Sequence, residues 1–358
     1  MIVSSKPFID FERVFFVDKP LKLSVLDQSP IHDDQPDSSG LFSTIELSKS
    51  CDEWGYHRYW LAEHHDTPGY ASPSPEIMVG QVANATKRIR VGSGGVMLPH
   101  YSAFKVAETF KVLEAFNPGR IDLGIGRAPG GNPLFSEAIS APRAQIPAEY
   151  YPQQAADLIG YLNGNLPDNH PYKQANIYPR DVGSPDIWML GSSDGSAEMA
   201  GQLGAGFVLA LFIGTHDRPV EIIERYRRAF VPNATFEEAH PMLAAAVICA
   251  GSKEEAEWIA SSHTYWKVQA FRHGRRDGLL APEKALDARK KLSLSDQAYY
   301  DETLASMVLG TPESCYEELN EIATRYRVNE IMVVNVTHKF SDRKKSYQML
   351  AEVAGLTV

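Results

Sequence analysis

From Lys22 onward the chain alternates short apolar runs with amphipathic stretches, and this alternation restricts the fold more than any other feature. The apolar runs predict eight strands, at Lys22–Asp27, Arg58–Ala62, Ile89–Met97, Arg120–Gly126, Asp186–Leu190, Gly206–Leu211, Met242–Cys249 and Glu330–Val336. GFVLAL and EIMVVNV are nearly continuous in apolar residues, as expected of parallel strands covered on both faces. Between the runs, Ala103, Val106, Phe110 and Leu113 recur at helical spacing, as do Tyr316, Leu319, Ala323 and Tyr326. Further helices are expected through Gly40–Trp54, Pro75–Ala85, Ser196–Leu203, Pro219–Phe230 and Asp342–Ala354. Ser252 with Glu255 reads as a capping box, and Thr311 as a cap residue before Pro312. Eight strands joined by helices select the α/β class, and within it a (β/α)8 TIM barrel over an open doubly wound sheet.

At 358 residues the chain is longer than a plain barrel, which needs about 250. The surplus falls at about 127–185, rich in Pro, Gly and Asn, and at about 263–310, which carries a basic patch. Both are read as insertions on the carboxyl-terminal face, where they would wall the catalytic mouth. Residues 1–21 precede the alternation and read as an extension, with 22–358 as one domain. Lys and Arg number 35 against 45 Asp and Glu, a net charge of −10 that argues against nucleic acid or a membrane surface as partner. Asp10, Glu12 and Arg13 interrupt the apolar run near the amino terminus, so no secretion signal is expected. No run approaches the ~18 residues that span a bilayer. Cys51, Cys249 and Cys315 are widely separated and lack C-x-x-C spacing, which fits a reducing, cytoplasmic setting.

Reactive residues of a barrel belong at the carboxyl ends of its strands. There the chain places Glu63, His64 and His65, but alternation sends Glu63 and His65 one way and His64 the other. They do not converge on one ion, and neither H-x-H nor H-E-x-x-H occurs elsewhere, so no metal site is expected. His65 reads as a buried polar contact. The run Gly191-Ser192-Ser193-Asp194-Gly195-Ser196 follows a strand and opens a helix, which suits either a phosphate cradle or an ordinary helix cap. Arg127, ending the fourth strand, offers a cation to the same anion, although such an arginine needs no ligand. Gly94-Gly95 inside a strand marks either close approach by a flat ligand or a bulge. No G-x-G-x-x-G run signals a nicotinamide domain.

Taken in order, LAEHH, IRVGSGGVMLP, NPGRIDLGIGRAPGG, GSSDGSA and VLGTPE resemble segments of the bacterial luciferase-like family of flavin-dependent monooxygenases and oxidoreductases, from about Lys22 to the carboxyl terminus. The resemblance implies a (β/α)8 barrel that binds FMN over its carboxyl face. By matching position, His64 corresponds to the family's active-site histidine and Gly94-Gly95 to its non-proline cis peptide beside the flavin ring. Arg127, Ser192, Ser193, Gly195 and Ser196 correspond to its phosphate grip, and Asp27 falls where members line the ring pocket. Gly126 stands where true luciferases carry a reactive cysteine, so light emission is not implied.

The implied reaction is a two-component monooxygenation: reduced FMN arrives as co-substrate from a separate flavin reductase, and with oxygen it oxygenates a small organic substrate. The resemblance further implies a homodimer through Pro75–Ala85 and Ala103–Phe116. His64 is expected to titrate near neutrality and to move a proton during the oxygen chemistry. Gln269 to Ser295, with Arg272, His273, Arg275, Arg276, Arg289, Lys290 and Lys291, reads as a lid or, more simply, as a solvated helix face. A deazaflavin in place of FMN ranks second, a non-catalytic flavin-binding protein third, and a metal-dependent barrel hydrolase last.

Overall fold

A computed structural model describes residues 20–31, 35–127, 133–142, 144–214 and 218–356. Most of the 1–21 extension therefore lies outside the described residues. The first half of the chain runs β1 (Lys22–Asp27), α1 (Ser39–Trp54), β2 (Arg58–Leu61), α2 (Pro75–Ala85), β3 (Arg90–Met97), α3 (Ala103–Phe116), β4 (Ile121–Gly126), α4 (Pro133–Ser140) and α5 (Tyr151–Asn163). The second half runs β5 (Asp186–Gly191), α6 (Asp194–Gln202), β6 (Gly206–Ala210), α7 (Glu221–Ala229), β7 (Pro241–Cys249), α8 (Lys253–His273), α9 (Pro282–Arg289) and α10 (Leu294–Ala305). It ends with β8 (Val308–Gly310), α11 (Pro312–Tyr326), β9 (Glu330–Val334) and α12 (Phe340–Val353). Among the described residues, no helix is long and apolar enough to cross a membrane.

Strands β1 to β7 and β9 close a parallel barrel, with β7 beside β6 and β9, and β9 returning to β1. The eighth expected strand is thus β9. The short β8 pairs with Val247 to Cys249 at the end of β7 and adds an element that the sequence reading had left inside an insertion. Alternation along each strand divides the core into two layers. Leu23, Val25, Tyr59 and Leu61 pack outward against the helices, whereas Leu26, Trp60, Trp188, Val208, Met242 and Met332 fill the barrel axis. Trp60 and Trp188 meet edge to face at 5.6 Å.

The insertion after β4 contains α4 and α5, and α5 is fastened to the barrel where Gln154 Nε2 donates to the carbonyls of Leu98 (2.8 Å) and Tyr101 (2.7 Å). The second insertion does not begin at His263. Helix α8 continues unbroken to His273 and ends at Gly274, whose φ of 68° is the left-handed conformation that glycine adopts freely. His263 and Lys267 place polar side chains on the inner face of this helix, and both are buried. The basic charges beyond them belong largely to a surface network. Arg272 and His273 pair with Asp296 at 3.2 and 3.1 Å, Arg289 with Asp301 at 2.6 Å, and Lys290 with Asp287 at 2.7 Å.

The amino-terminal end of the barrel is plugged by charge. Arg58 donates to Asp122 (2.8 Å) and Glu330 (2.9 Å), Arg90 donates to Asp122 (3.0 Å) and Asp186 (2.7 Å), and Trp60 Nε1 donates to Asp122 (2.9 Å). Ser24 adds a bond to Glu330 at 2.6 Å, so six strands are joined. Burial tends to raise the Asp122 pKa, but the Arg58 and Arg90 guanidinium groups outweigh it and hold the carboxyl below the usual range. A depressed folded pKa stabilises the fold above the unfolded value of about 3.9 and ceases to do so as pH falls through the folded value. Asp122→Asn should therefore destabilise the protein by about 3–5 kcal/mol at pH 7, the typical effect of removing one partner of a buried pair. Thermal unfolding against pH should show the gap narrowing only below about pH 4; equal midpoints at pH 7 would refute the assignment.

Candidate active site

A cavity of about 570 Å³ opens at the carboxyl ends of the barrel strands. Among the residues lining it at the strand ends, Ala62, Gly94, Gly95, Gly126, Gly191, Ala210 and Ala244 carry little or no side chain, beside the larger Met97, Leu190, Val208 and Val334. The opening exists because those strand ends leave the axis unfilled, whereas the tryptophans below fill it.

The Gly94–Gly95 peptide is cis. A Cβ on Gly94 would stand 2.3 Å from Leu26 Cδ1, and one on Gly95 2.8 Å from the Gly124 carbonyl oxygen. Backbone excludes a side chain at Gly95, and one at Gly94 would require Leu26 to shift, so bare peptide lines the cavity here. The register of β3 on β4 also shifts between Ser93 and Val96. The two readings of the glycine pair, a bulge and a ligand platform, are therefore compatible in one segment.

Ser192, Ser193, Ser196 and Arg127 border the cavity together. Helix α6 starts at Asp194 and is closed by a capping box between Ser193 and Ser196, with the Ser196 hydroxyl donating to the Ser193 carbonyl at 2.7 Å. Capping engages those two hydroxyls. The Ser192 hydroxyl has no partner among the described residues, and the first N–H groups of any helix lack partners within it. Arg127 is exposed and forms no ion pair among the described residues. Gly195 differs from its neighbours: it lies in the first turn of α6, faces open space and does not line the cavity.

Asp27 is a correction. Leu23, Val25 and Asp27 share the outward face of β1, so its carboxylate lies behind the barrel wall and not in the ring pocket. There it pairs with Arg343 of α12, accepts the Tyr59 hydroxyl, and takes the Ser29 N–H at 2.6 Å. Gln28, one residue on, lines the cavity instead.

After β2 the alternation expected from sequence is observed. Glu63 accepts from Tyr101 (2.7 Å) and the Met97 N–H (2.9 Å) and bonds His65 Nε2 (2.7 Å), while the His65 ring stacks on Phe135 at 4.4 Å. His64 instead borders the cavity, its ring 4.5 Å from that of Tyr70 and its buried Nδ1 without a hydrogen-bond partner. Burial, aided by the charge of Arg276, pushes the His64 pKa down to about 3. The expected titration near neutrality is thus overturned, and the imidazole is neutral at physiological pH.

The far wall is built largely by the segment read from sequence as the second insertion; of its lining residues Arg276 is singled out from sequence, but Tyr70, His263, Trp266 and Lys267 are not. Tyr70 OH lies 3.3 Å from His263 Nε2, and its ring packs on Trp266 at 4.9 Å. Trp266 Nε1 donates to the Asp277 carbonyl at 2.7 Å. Lys267 Nζ donates to the Phe212 carbonyl at 2.8 Å, and burial pushes its pKa down to about 8. Arg276 completes this side. The available signal was His263 and Lys267, four residues apart within the buried stripe of α8. Among the described residues, no three His, Cys, Asp or Glu side chains group as metal ligands would.

Comparison with known proteins accords with this arrangement. The sequence profile of the luciferase-like monooxygenases matches residues 21–328. An N-acetyl-S-alkylcysteine monooxygenase from Bacillus subtilis (strain 168) is 36% identical over 335 residues, 93% of this chain and 98% of the relative. The crystal structure of apo-MsnO8 superposes with a TM-score of 0.83 at 33% identity, covering 95% of this chain and 99% of that one. The oxygenating constituent of 3,6-diketocamphane monooxygenase from Pseudomonas putida, solved in complex with FMN, shares the fold at 16% identity and a TM-score of 0.68, covering 94% of this chain and 99% of that one. On the extent of the profile match and the identity to full-length relatives, the chain belongs to the luciferase-like monooxygenase family and is a flavin-dependent oxidoreductase.

Proposed function

We propose that this chain is the oxygenating component of a two-component monooxygenase, taking FMN already reduced by a separate flavin reductase, with oxygen, to oxygenate a small organic substrate. The observation that carries the reading is the bare Gly94–Gly95 platform in one cavity with the Arg127 and Ser192 cradle. A flat tricyclic ring fits a surface that excludes side chains, and a phosphate fits a cation beside a helix amino terminus. Bound reduced FMN supplies the activation of oxygen; orientation and proton handling fall to the protein. Arg127 and the Ser192 hydroxyl hold the phosphate, while His64 presents to the cavity a neutral imidazole, the form that accepts a proton. The substrate class named for the Bacillus relative makes N-acetyl-S-alkylcysteines the first compounds to assay. Cys51, Cys249 and Cys315 are buried free thiols, a state that a reducing cytoplasm maintains.

Titration with FMN, riboflavin and a deazaflavin tests the cofactor. FMN should bind best, and Arg127→Ala should weaken it by roughly 1.5–3 kcal/mol while leaving riboflavin nearly unchanged. Equal losses for both would move the phosphate elsewhere, and preference for the deazaflavin would replace FMN in the reading.

His64→Gln keeps size and hydrogen bonding but cannot serve as the base. FMN affinity and melting temperature should stay near wild type, while oxygenated product falls about 10²–10⁴-fold and oxygen is returned as hydrogen peroxide. Undiminished oxygenation, assayed with any substrate that the wild type accepts, would remove His64 from the reaction.

We also propose a two-fold homodimer through α2 and α3. Ile77 is 62% exposed on α2, and Phe116 is 80% exposed on α3 with Val112 at 44%, an apolar face that a second copy would cover. Sedimentation should give a dimer at micromolar concentration and a shift toward monomer for Ile77→Glu combined with Phe116→Glu. A wild-type monomer would rule the interface out.

A further inference from the structure

Cations stand on two different sides of the cavity, and the phosphate accounts for one of them. Arg127 ends β4, beside the α6 amino terminus. Arg276 lies across the mouth, on the loop after α8, where its backbone carbonyl accepts the Gly69 N–H at 3.2 Å and fixes that loop to the segment after β2. Its side chain borders the cavity, is partly buried, and has neither a carboxylate partner nor a hydrogen bond among the described residues. It stands close enough to His64 and Tyr70 for its charge to bear on both groups. Lys267, 4% exposed, lines the same cavity with one N–H on the Phe212 carbonyl and no acid paired with it among the described residues. The carboxylate in that wall, Glu63, is already engaged by Tyr101, His65 and the Met97 N–H.

We infer that this side of the cavity is a subsite for the carboxylate of the substrate, with Arg276 as the residue that selects it. The inference rests on the monooxygenase reading for its account of which ligand occupies the other side. A guanidinium presents parallel N–H donors that match a carboxylate, and a cation left without a counter-ion in a partly desolvated wall favours an anionic ligand. Phe212, Ile213 and Phe271 give the same cavity apolar lining, so the substrate class is a small organic acid with an apolar body. Lys267 adds positive potential from below and Arg276 makes the direct contact.

Calorimetric titration of the purified chain, with and without FMN, tests this with N-acetyl-S-benzylcysteine and phenylacetate, each beside its own primary amide. Wild type should bind at least one acid tenfold or more tightly than its amide. Arg276→Gln should abolish that preference without altering FMN affinity or melting temperature, and Arg276→Lys should restore part of it. The assignment is overturned if wild type prefers neither acid, if Arg276→Gln keeps the preference, or if that variant loses FMN in parallel, which would make Arg276 part of the cofactor's hold. Acid selectivity in a chain that fails to bind FMN would leave the subsite standing and sink the flavin reading instead.

Discussion

Asp122 sits fully buried between two guanidinium groups at the amino-terminal end of the barrel, and the remainder of the architecture is built above that contact. A parallel barrel must fill its axis or leave a void, and here the filling is graded along the strands. Charged side chains close the amino end, Trp60 and Trp188 occupy the middle, and glycine and alanine leave the carboxyl end hollow. The charges are tolerated because each is paired, which is the condition for burying them at all. With Arg58 also lying 4.7 Å over the Trp188 ring, the polar plug and the aromatic layer brace each other. A firm lower half allows the upper half to remain open without the strands collapsing into it.

A second buried acid, Glu63, does for the mouth what Asp122 does for the base. Its two oxygens bind a residue from β2's own exit, the backbone of β3 and the hydroxyl of Tyr101. The loop carrying His64 is thereby tied to the strand carrying Gly94–Gly95. His64 and the Gly94–Gly95 segment hold their mutual geometry through this carboxylate, the kind of supporting bond that fixes a cavity's lining.

Strand positions were legible because apolar runs in a parallel barrel are long and nearly unbroken, and the motifs at their ends were legible because their residues are local in sequence. Asp27 shows where that reading fails. Its proximity to the mouth along the chain was correct, but its side depends on the pleat, and counting from Val25 would have put it with the outward layer beside Arg343, 316 residues away. Much of the far wall was hidden for a related reason. His263 and Lys267 reach the cavity from the buried face of α8, and although they stand four residues apart, polar side chains in a helix more often mark its exposed face. The pKa of His64 was equally beyond reach, since desolvation is a property of the packed neighbours and not of the residue type.

Helix α8 joins two tasks that barrels usually keep apart. Its first turns are an ordinary crossover packed on β7 and β8, while its final turns and the loop beyond them shape the chamber. The Gly94–Gly95 segment, being bare backbone, offers mutation few side chains to alter. Diversification within this architecture is thereby channelled into one removable piece: a helix tip exchanged between relatives would carry a new selectivity onto an unchanged platform, much as a jig is refitted on a fixed bench. The same division suits directed evolution, where a library confined to the end of α8 and its following loop samples recognition while sparing the plugged base.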